Sequence, residues 1–338
     1  MTKILLLGVC WLALTTFPNR ASCFSFDGST MYFTSVARFY SFGARQKIHR
    51  RTNITSRMMV TVKSSSATTA NKEADSLDDS RTSDEILSSL PDNLKTWFDI
   101  QVPEGRCIGV ETTNEQECFP QNLSNGITVI NNDHWIHSSF HKEELEFGAK
   151  LKKTRNSFLL GRLALRIGLD FPDYPILRDN YGRPELKADV LGSISHKSNK
   201  GVAIVSRLPK DDCDSDFVLS GLGIDLEMRS RPGKPNIAKR ILTANERKSL
   251  GNISGITVEE EVLLRFSLKE AIYKAANPLL NQYVGFQEAE VTPHADGTAS
   301  CKWLLDTKAD RSISKLTAHW RKLDENYFLT SASAYEAK

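Results

Sequence analysis

From residue 142 onward the chain twice sets a long helical pattern ahead of a run of short strands, at a spacing of about a hundred residues, the size of a small domain. That order constrains the fold more than any other feature. It reads as α+β, with two similar subdomains, each a helix packed on an antiparallel sheet, in a pseudo-two-fold relation. In the first pattern Phe147, Leu151, Phe158, Leu159, Leu163 and Ile167 recur at roughly helical spacing, predicting one helix over 142–167 with Gly168 at its stop. A loop with Pro172, Pro175 and Gly182-Arg183-Pro184 leads to strands over 191–195 and 201–206, with Asn199 and Lys200 in the turn. The second pattern opens with a strand over 217–227. A Pro/Gly loop at 231–235 precedes a short helix, and Thr243 with Glu246 forms a capping box. A helix over 258–276 ends at Asn277-Pro278, and strands follow over 289–292, 299–305, 314–321 and 327–334. The halves are 91–210 and 211–338.

The net charge of +3 does not describe this body. Residues 1–70 hold nine Lys or Arg against the single acid Asp27, which leaves −5 for the remainder. A nucleic-acid partner argued from overall charge fails on that division. The basic leader reads as targeting. Lys3 and the short apolar run 4–14 resemble a signal-peptide core, too short to span a bilayer, and Ala21-Ser22-Cys23 supplies small residues for cleavage. Residues 24–70 are rich in Arg, Ser and Thr and open on Phe24, as in an organelle transit peptide. A signal peptide over 1–23 and a transit peptide over 24–70 resemble the bipartite leader of a secondary-origin plastid; plain secretion is the alternative. Residues 71–90, with Glu73, Asp75, Asp78, Asp79, Asp84 and Glu85, read as a solvated acidic linker. No later segment has the apolar length of a membrane span, so no membrane partner is expected of the mature form. Cys107, Cys118, Cys213 and Cys301 are widely spaced, and they specify neither a disulfide framework nor a zinc ribbon.

Three segments carry candidate chemistry. Gly192-Ser193-Ile194-Ser195-His196-Lys197 places Ser195 and His196 at a strand exit; alone it is a hairpin edge with a surface histidine. In Leu222-Gly223-Ile224-Asp225-Leu226-Glu227 the strand alternation puts Asp225 and Glu227 on one side, about 7 Å apart along the chain. Both are hard oxygen donors suited to Mg²⁺, and alone they are a solvated strand end. In Phe266-Ser267-Leu268-Lys269-Glu270-Ala271-Ile272-Tyr273-Lys274, Glu270 and Lys274 share a helix face, where alone they form an i,i+4 ion pair. His134, His137 and His141 could share a helix face and bind zinc, but no acid or thiol partner completes the set.

Taken together, Gly-Ile-Asp-Leu-Glu on a strand and Lys-Glu-Ala-x-x-Lys on a helix some forty residues later resemble the 4′-phosphopantetheinyl transferase superfamily. The likeness runs from about residue 140 to 329 and is nearest to the type serving siderophore and fatty-acid carrier proteins. Arg155, Gly161-Arg162, Arg178, Gly182-Arg183-Pro184 and Val284-Gly285-Phe286 extend it; Glu185-Leu186 depart from the tryptophan and proline the family often carries there. The resemblance implies transfer of 4′-phosphopantetheine from coenzyme A to a serine of an apo acyl carrier protein or carrier domain, releasing 3′,5′-ADP. It implies Mg²⁺ on Asp225, Glu227 and Glu270, with Glu270, Lys274 and His196 in catalysis. Coenzyme A would be held by Arg155, Arg162, Arg178, Arg183, Ser195, His196, Lys269 and Lys274, although Lys269 also reads as a salt-bridge residue only. A Mg²⁺-dependent phosphohydrolase and a non-catalytic binding module remain as alternatives. The pseudo-duplicated form suggests a monomer.

Overall fold

The computed structural model describes residues 22–27, 30–35, 82–113, 119, 134–151, 154–208, 216–230, 235–305 and 313–338. The chain divides into two compact units, Met1–Ser80 and Arg81–Lys338. In the first, strands β1 (Ser22–Asp27) and β2 (Thr30–Ser35) pair antiparallel. The rest of the expected leader lies outside the described residues.

The second unit begins where a solvated linker was expected. Helix α1 (Ser83–Ser88) starts on a capping box: the Thr82 hydroxyl accepts from the Glu85 amide, and the Thr82 amide donates to the Glu85 carboxylate. Ile86 is buried, and Leu87 and Leu90 pack on the first core. The acidic composition of 71–90 therefore misleads from Thr82 onward: three apolar side chains suffice to fasten one turn of helix. Strands β3 (Leu94–Val102) and β4 (Gly105–Thr112), which sequence periodicity left unread, form a hairpin. With β5 (Val190–Lys197) and β6 (Lys200–Arg207) they make a four-stranded antiparallel sheet in the order β3-β4-β6-β5.

Over that sheet lie α2 (His134–Ser139), α3 (Lys142–Lys150) and α4 (Arg155–Gly168). The single helix predicted over 142–167 is thus two helices. Leu145 of α3 and Phe158, Leu159, Leu163 and Ile167 of α4 enter one core, so the apolar period runs on across the break between them. Gly168 does end α4, but the left-handed residues after it are Asp170 and Phe171. Gly168 sits instead at a close packing contact, where a Cβ would lie 3.2 Å from the Val205 side chain. The three histidines do not share a helix: α2 stops at Ser139, and His141 is the N-cap of α3.

The C-terminal half repeats the theme. Strand β7 (Phe217–Met228) joins β10 (Lys315–Leu323) and β11 (Tyr327–Ala337) in the order β10-β11-β7, covered by the 23-residue α7 (Val258–Leu280). Short helices α5 (Pro235–Ile241) and α6 (Ala244–Lys248) and the hairpin β8 (Ala289–Pro293)/β9 (Ala299–Trp303) flank it. Pro278 does not stop α7. Leu279 packs on the second core and Asn281 closes the helix in the left-handed region, its amide donating to the Asn277 carbonyl. Packing outweighs the one hydrogen bond that proline removes.

The halves meet along their sheet edges. Val102, Cys107, Val202 and Ile204 of one sheet form a common core with Leu222, Ile224, Leu226, Tyr327 and Leu329 of the other. Edge strand β5 lies against edge strand β7 without a backbone ladder. The hydroxyls of Ser193 and Ser195 accept instead from the amides of Ile224 and Leu226, at 3.2 and 3.3 Å. Buried amides must find acceptors, which explains the alternating serines of the Gly-Ser-Ile-Ser-His segment.

Candidate functional site

The strand alternation that sends Ser193 and Ser195 toward β7 also sends Lys197 there. Its ammonium pairs with Glu227 at 2.6 Å. Sequence reasoning passed over Lys197, although its alternation with Ser195 was visible. Across from β5, α7 approaches β7 so closely that only glycine fits beneath it: a Cβ on Gly223 would fall 1.8 Å from the Ala271 carbonyl oxygen. That approach delivers Glu270 and Lys274, which share a helix face, to the side of Asp225.

Asp225 is buried among donors. Ser195 donates to Oδ1 at 2.8 Å, Lys274 to the same oxygen at 2.9 Å, and Ser267 to Oδ2 at 2.9 Å. Lys274 also reaches the Ile224 carbonyl at 2.8 Å. Ser195, expected to touch coenzyme A, is therefore buried on Asp225 and acts as a support.

Glu227 and Glu270 are both pushed up to about 7. Loss of hydration is the largest cause for each, opposed mainly by Lys197 for Glu227 and by Lys274 for Glu270. Asp225 adds to the rise of both carboxyls, and Glu227 to that of Glu270. Lys274 is raised: burial opposes its charge, but Asp225 and Glu270 outweigh that. Lost hydration would draw the His196 imidazole down to about 4. His196 remains exposed at the rim, so that cause acts only in part; the nearby cations Lys274, Lys197 and Arg178 act in the same direction and Asp225 against it.

The donor set is three carboxylates with excess negative charge, the chemistry a hard divalent cation satisfies. Among the described residues no three His, Cys, Asp or Glu side chains close on one point as a ready cage. Lys197 and Lys274 are the cations that hold Glu227 and Asp225. Cys107 and Cys301 are pushed up to about 12 by burial, which removes them as thiolate nucleophiles or ligands.

The arginines divide. Arg178 is exposed, and its charge is felt at His196. Arg183 pairs with Asp179 at 2.7 Å and lies over the Tyr181 ring. Arg155 is buried in the first turn of α4. Arg162 corrects the expectation: it is buried, donates to the carbonyls of Ile176 and Leu177 at 2.7 and 3.0 Å, and lies over Phe158. It braces the loop that carries Arg178 and Arg183, and its donors to that loop are not available to a nucleotide.

Lys269 is the second correction. Helical geometry turns it away from Glu270, and its ammonium donates to the Ile241 carbonyl, the Glu246 carboxylate and the Phe286 carbonyl at 3.0, 2.7 and 2.6 Å. With three partners and almost no exposure, it is a structural clamp and makes no phosphate contact. Lys269→Met is expected to lower stability by about 3 kcal/mol, because Glu246 stays buried without its partner, and Lys269→Met with Glu246→Gln should regain part of this. Urea unfolding reads both; an unchanged midpoint in the single variant would return Lys269 to the list of ligand contacts.

Two family models match the chain. One, described as the 4′-phosphopantetheinyl transferase superfamily, matches residues 221–330. The other, described as the 4′-phosphopantetheinyl transferase N-terminal domain, matches residues 143–206. The curated 4′-phosphopantetheinyl transferase PptT of Mycobacterium tuberculosis is 33% identical over 150 residues, covering 43% of this chain and 61% of that protein. The chain thus spans under two thirds of the length of the curated relative it matches. Among solved structures, a holo-(acyl-carrier-protein) synthase from Bacillus anthracis in complex with CoA matches at 23% identity and a TM-score of 0.29, over 35% of this chain and 98% of that one. The holo-ACP-synthase from Plasmodium yoelii matches at 16% identity and the same TM-score, over 37% of this chain and 100% of that one.

Proposed function

We propose that this chain, which belongs to the 4′-phosphopantetheinyl transferase superfamily, moves 4′-phosphopantetheine from coenzyme A to a serine of an apo acyl carrier protein and releases 3′,5′-ADP. The observation that carries the reading is the convergence of Asp225, Glu227, Glu270 and Lys274 at the junction of the two sheets, beside the rim residue His196.

The reaction asks for charge neutralisation and in-line positioning. The serine oxygen forms a bond to the β-phosphorus, and the bond from that phosphorus to the bridging oxygen breaks, leaving on 3′,5′-ADP. Glu270, on the helix face it shares with Lys274, takes the serine proton. Lys274 and His196 donate to the pyrophosphate, and Arg178 and Arg183 flank the nucleotide end. Asp225, Glu227 and Glu270 would hold Mg²⁺, with Glu227 released from Lys197; the bound ion would supply charge neutralisation at the pyrophosphate.

The carrier is expected to be acidic. Lys239 and Arg240 on α5 and Arg247 and Lys248 on α6 are exposed on consecutive short helices between β7 and α7, a cationic surface of matching sign. The full chain incubated with coenzyme A, Mg²⁺ and apo acyl carrier protein should add the phosphopantetheine mass to the carrier. Arg240→Glu with Lys248→Glu should raise the carrier KM about tenfold and flatten its salt dependence, with coenzyme A affinity unchanged. Release of 3′,5′-ADP at full speed without carrier would overturn transfer in favour of hydrolysis.

The leader composition supports delivery to a plastid. Residues 1–70 fused to a fluorescent protein should carry it into the stroma, and import that survives deletion of residues 1–20 would refute the bipartite reading.

A further inference from the structure

Two buried hydroxyls behind Asp225 have no part in the mechanism above. Ser267 lies on α7 one turn before Glu270 and two before Lys274, and it is fully buried. Thr330 lies on β11 directly across the ladder from Asp225, and it too is fully buried. The Ser267 hydroxyl donates to Asp225 Oδ2 at 2.9 Å. Thr330 Oγ1 lies 2.9 Å from the Ser267 hydroxyl and 3.0 Å from the Ser267 carbonyl oxygen.

A hydroxyl has one proton to give. Ser267 spends its proton on Asp225, so toward Thr330 it can only accept. Thr330 then donates either to the Ser267 hydroxyl or to the carbonyl of the same residue, and both choices fix Ser267 in place. The torsion that orients an aspartate carboxyl is broad and roughly two-fold, so local preference does not set its plane. Here the plane is set by partners on three separate elements: Ser195 of β5, Ser267 of α7 and, through Ser267, Thr330 of β11. A buried network with every member satisfied is rigid.

We infer that Ser267 and Thr330 are positioning residues that aim the Asp225 carboxylate at the cation, an inference that rests on the proposed role of Asp225. Ser267 supports one carboxylate oxygen, while Ser195 and Lys274 share the other. Loss of Ser267 leaves Oδ2 without that donor, and the carboxylate turns away from its aimed position. Outer-shell partners of metal ligands are worth about 10–100-fold in metal affinity when removed.

The test is Mn²⁺ binding to the full chain with saturating coenzyme A, followed by the paramagnetic resonance of free Mn²⁺, beside thermal melting in EDTA. Ser267→Ala is expected to weaken Mn²⁺ binding at least tenfold. Ser267→Thr, which restores a hydroxyl, should regain most of the loss, and Thr330→Val should show a smaller loss in the same direction. Thr330→Val keeps the side-chain volume and serves if Ser267→Ala does not fold. Wild-type Mn²⁺ affinity in Ser267→Ala or Thr330→Val, with only the EDTA melting temperature lowered, would reduce both residues to packing and overturn the inference alone. A wild-type chain that binds no Mn²⁺ beside coenzyme A would overturn the cation reading of Asp225, and this one with it.

Discussion

Replacing Glu270 by glutamine should lower phosphopantetheine transfer by about a thousandfold or more, and it should leave the chain at least as stable as before. The first effect follows from chemistry. A positioned general base contributes on the order of 10²–10⁴ in rate, and glutamine neither accepts the serine proton nor offers an anionic oxygen to a cation. The second follows from linkage. Burial raises the Glu270 carboxyl from its ordinary value of 4.5 to about 7, so between those pH values the folded chain holds a proton that the unfolded chain has released. Stability therefore falls as pH rises from about 4.5 to 7 and stays reduced above that. Glutamine abolishes this penalty, worth on the order of 1–2 kcal/mol in the absence of metal. At pH 8 in EDTA the variant should unfold at higher urea than the wild type, and at pH 4 the gap should close. Glu227 titrates in the same range, so in EDTA this pH dependence of stability belongs to the pair. Initial rates and urea midpoints across pH read all of this. A Glu270→Gln chain within tenfold of wild-type rate removes Glu270 as the base.

The part of the site that was legible is the part carried by single elements. The strand alternation of Asp225 and Glu227 and the helical spacing of Glu270 and Lys274 each follow from one period, and both hold in the fold. The assignments that failed needed knowledge of what surrounds a side chain. Lys269 and Lys274 lie five residues apart on one helix, and their types do not say that one faces Asp225 while the other is sealed under Ile241 and Phe286. Arg162 was read as a ligand through the family resemblance; the carbonyls of Ile176 and Leu177 turn it into a brace. The missed β3–β4 hairpin has mixed polarity on β3 and a nearly continuous buried run on β4, so no period of two stood out there. The break between α3 and α4 was hidden for the opposite reason, since both helices feed one core and keep the period alive across it.

Gly223→Ala tests the link between sequence and site most severely. It is expected to cost more than about 4 kcal/mol and to abolish transfer, although it adds one methyl group far smaller than a typical core side chain. Overpacking is usually relieved by shifting a side chain, at a cost of about 1–3 kcal/mol. No such relief exists here. The new Cβ would lie 1.8 Å from the carbonyl oxygen of Ala271 and 2.8 Å from the amide nitrogen of Ala275, so α7 itself must move off β7. That movement opens the second core, where Leu264, Leu268, Ala271, Ile272 and Ala275 are buried, and it draws Ser267, Glu270 and Lys274 away from Asp225 together. Stability and chemistry are lost by the same displacement. Gly148→Ala is the control: its Cβ would meet only side-chain atoms at 3.5 Å within helix α3, and alanine is the better helix former by roughly 0.5–1 kcal/mol. Urea unfolding of both variants beside the wild type, with transfer measured on the folded fraction, decides the matter. The expected order is Gly148→Ala at or above the wild type and Gly223→Ala unfolded or nearly so. A Gly223→Ala chain with wild-type midpoint and rate would mean that α7 does not rest on β7 at this residue, and the convergence of Asp225 with Glu270 and Lys274 would lose its structural cause.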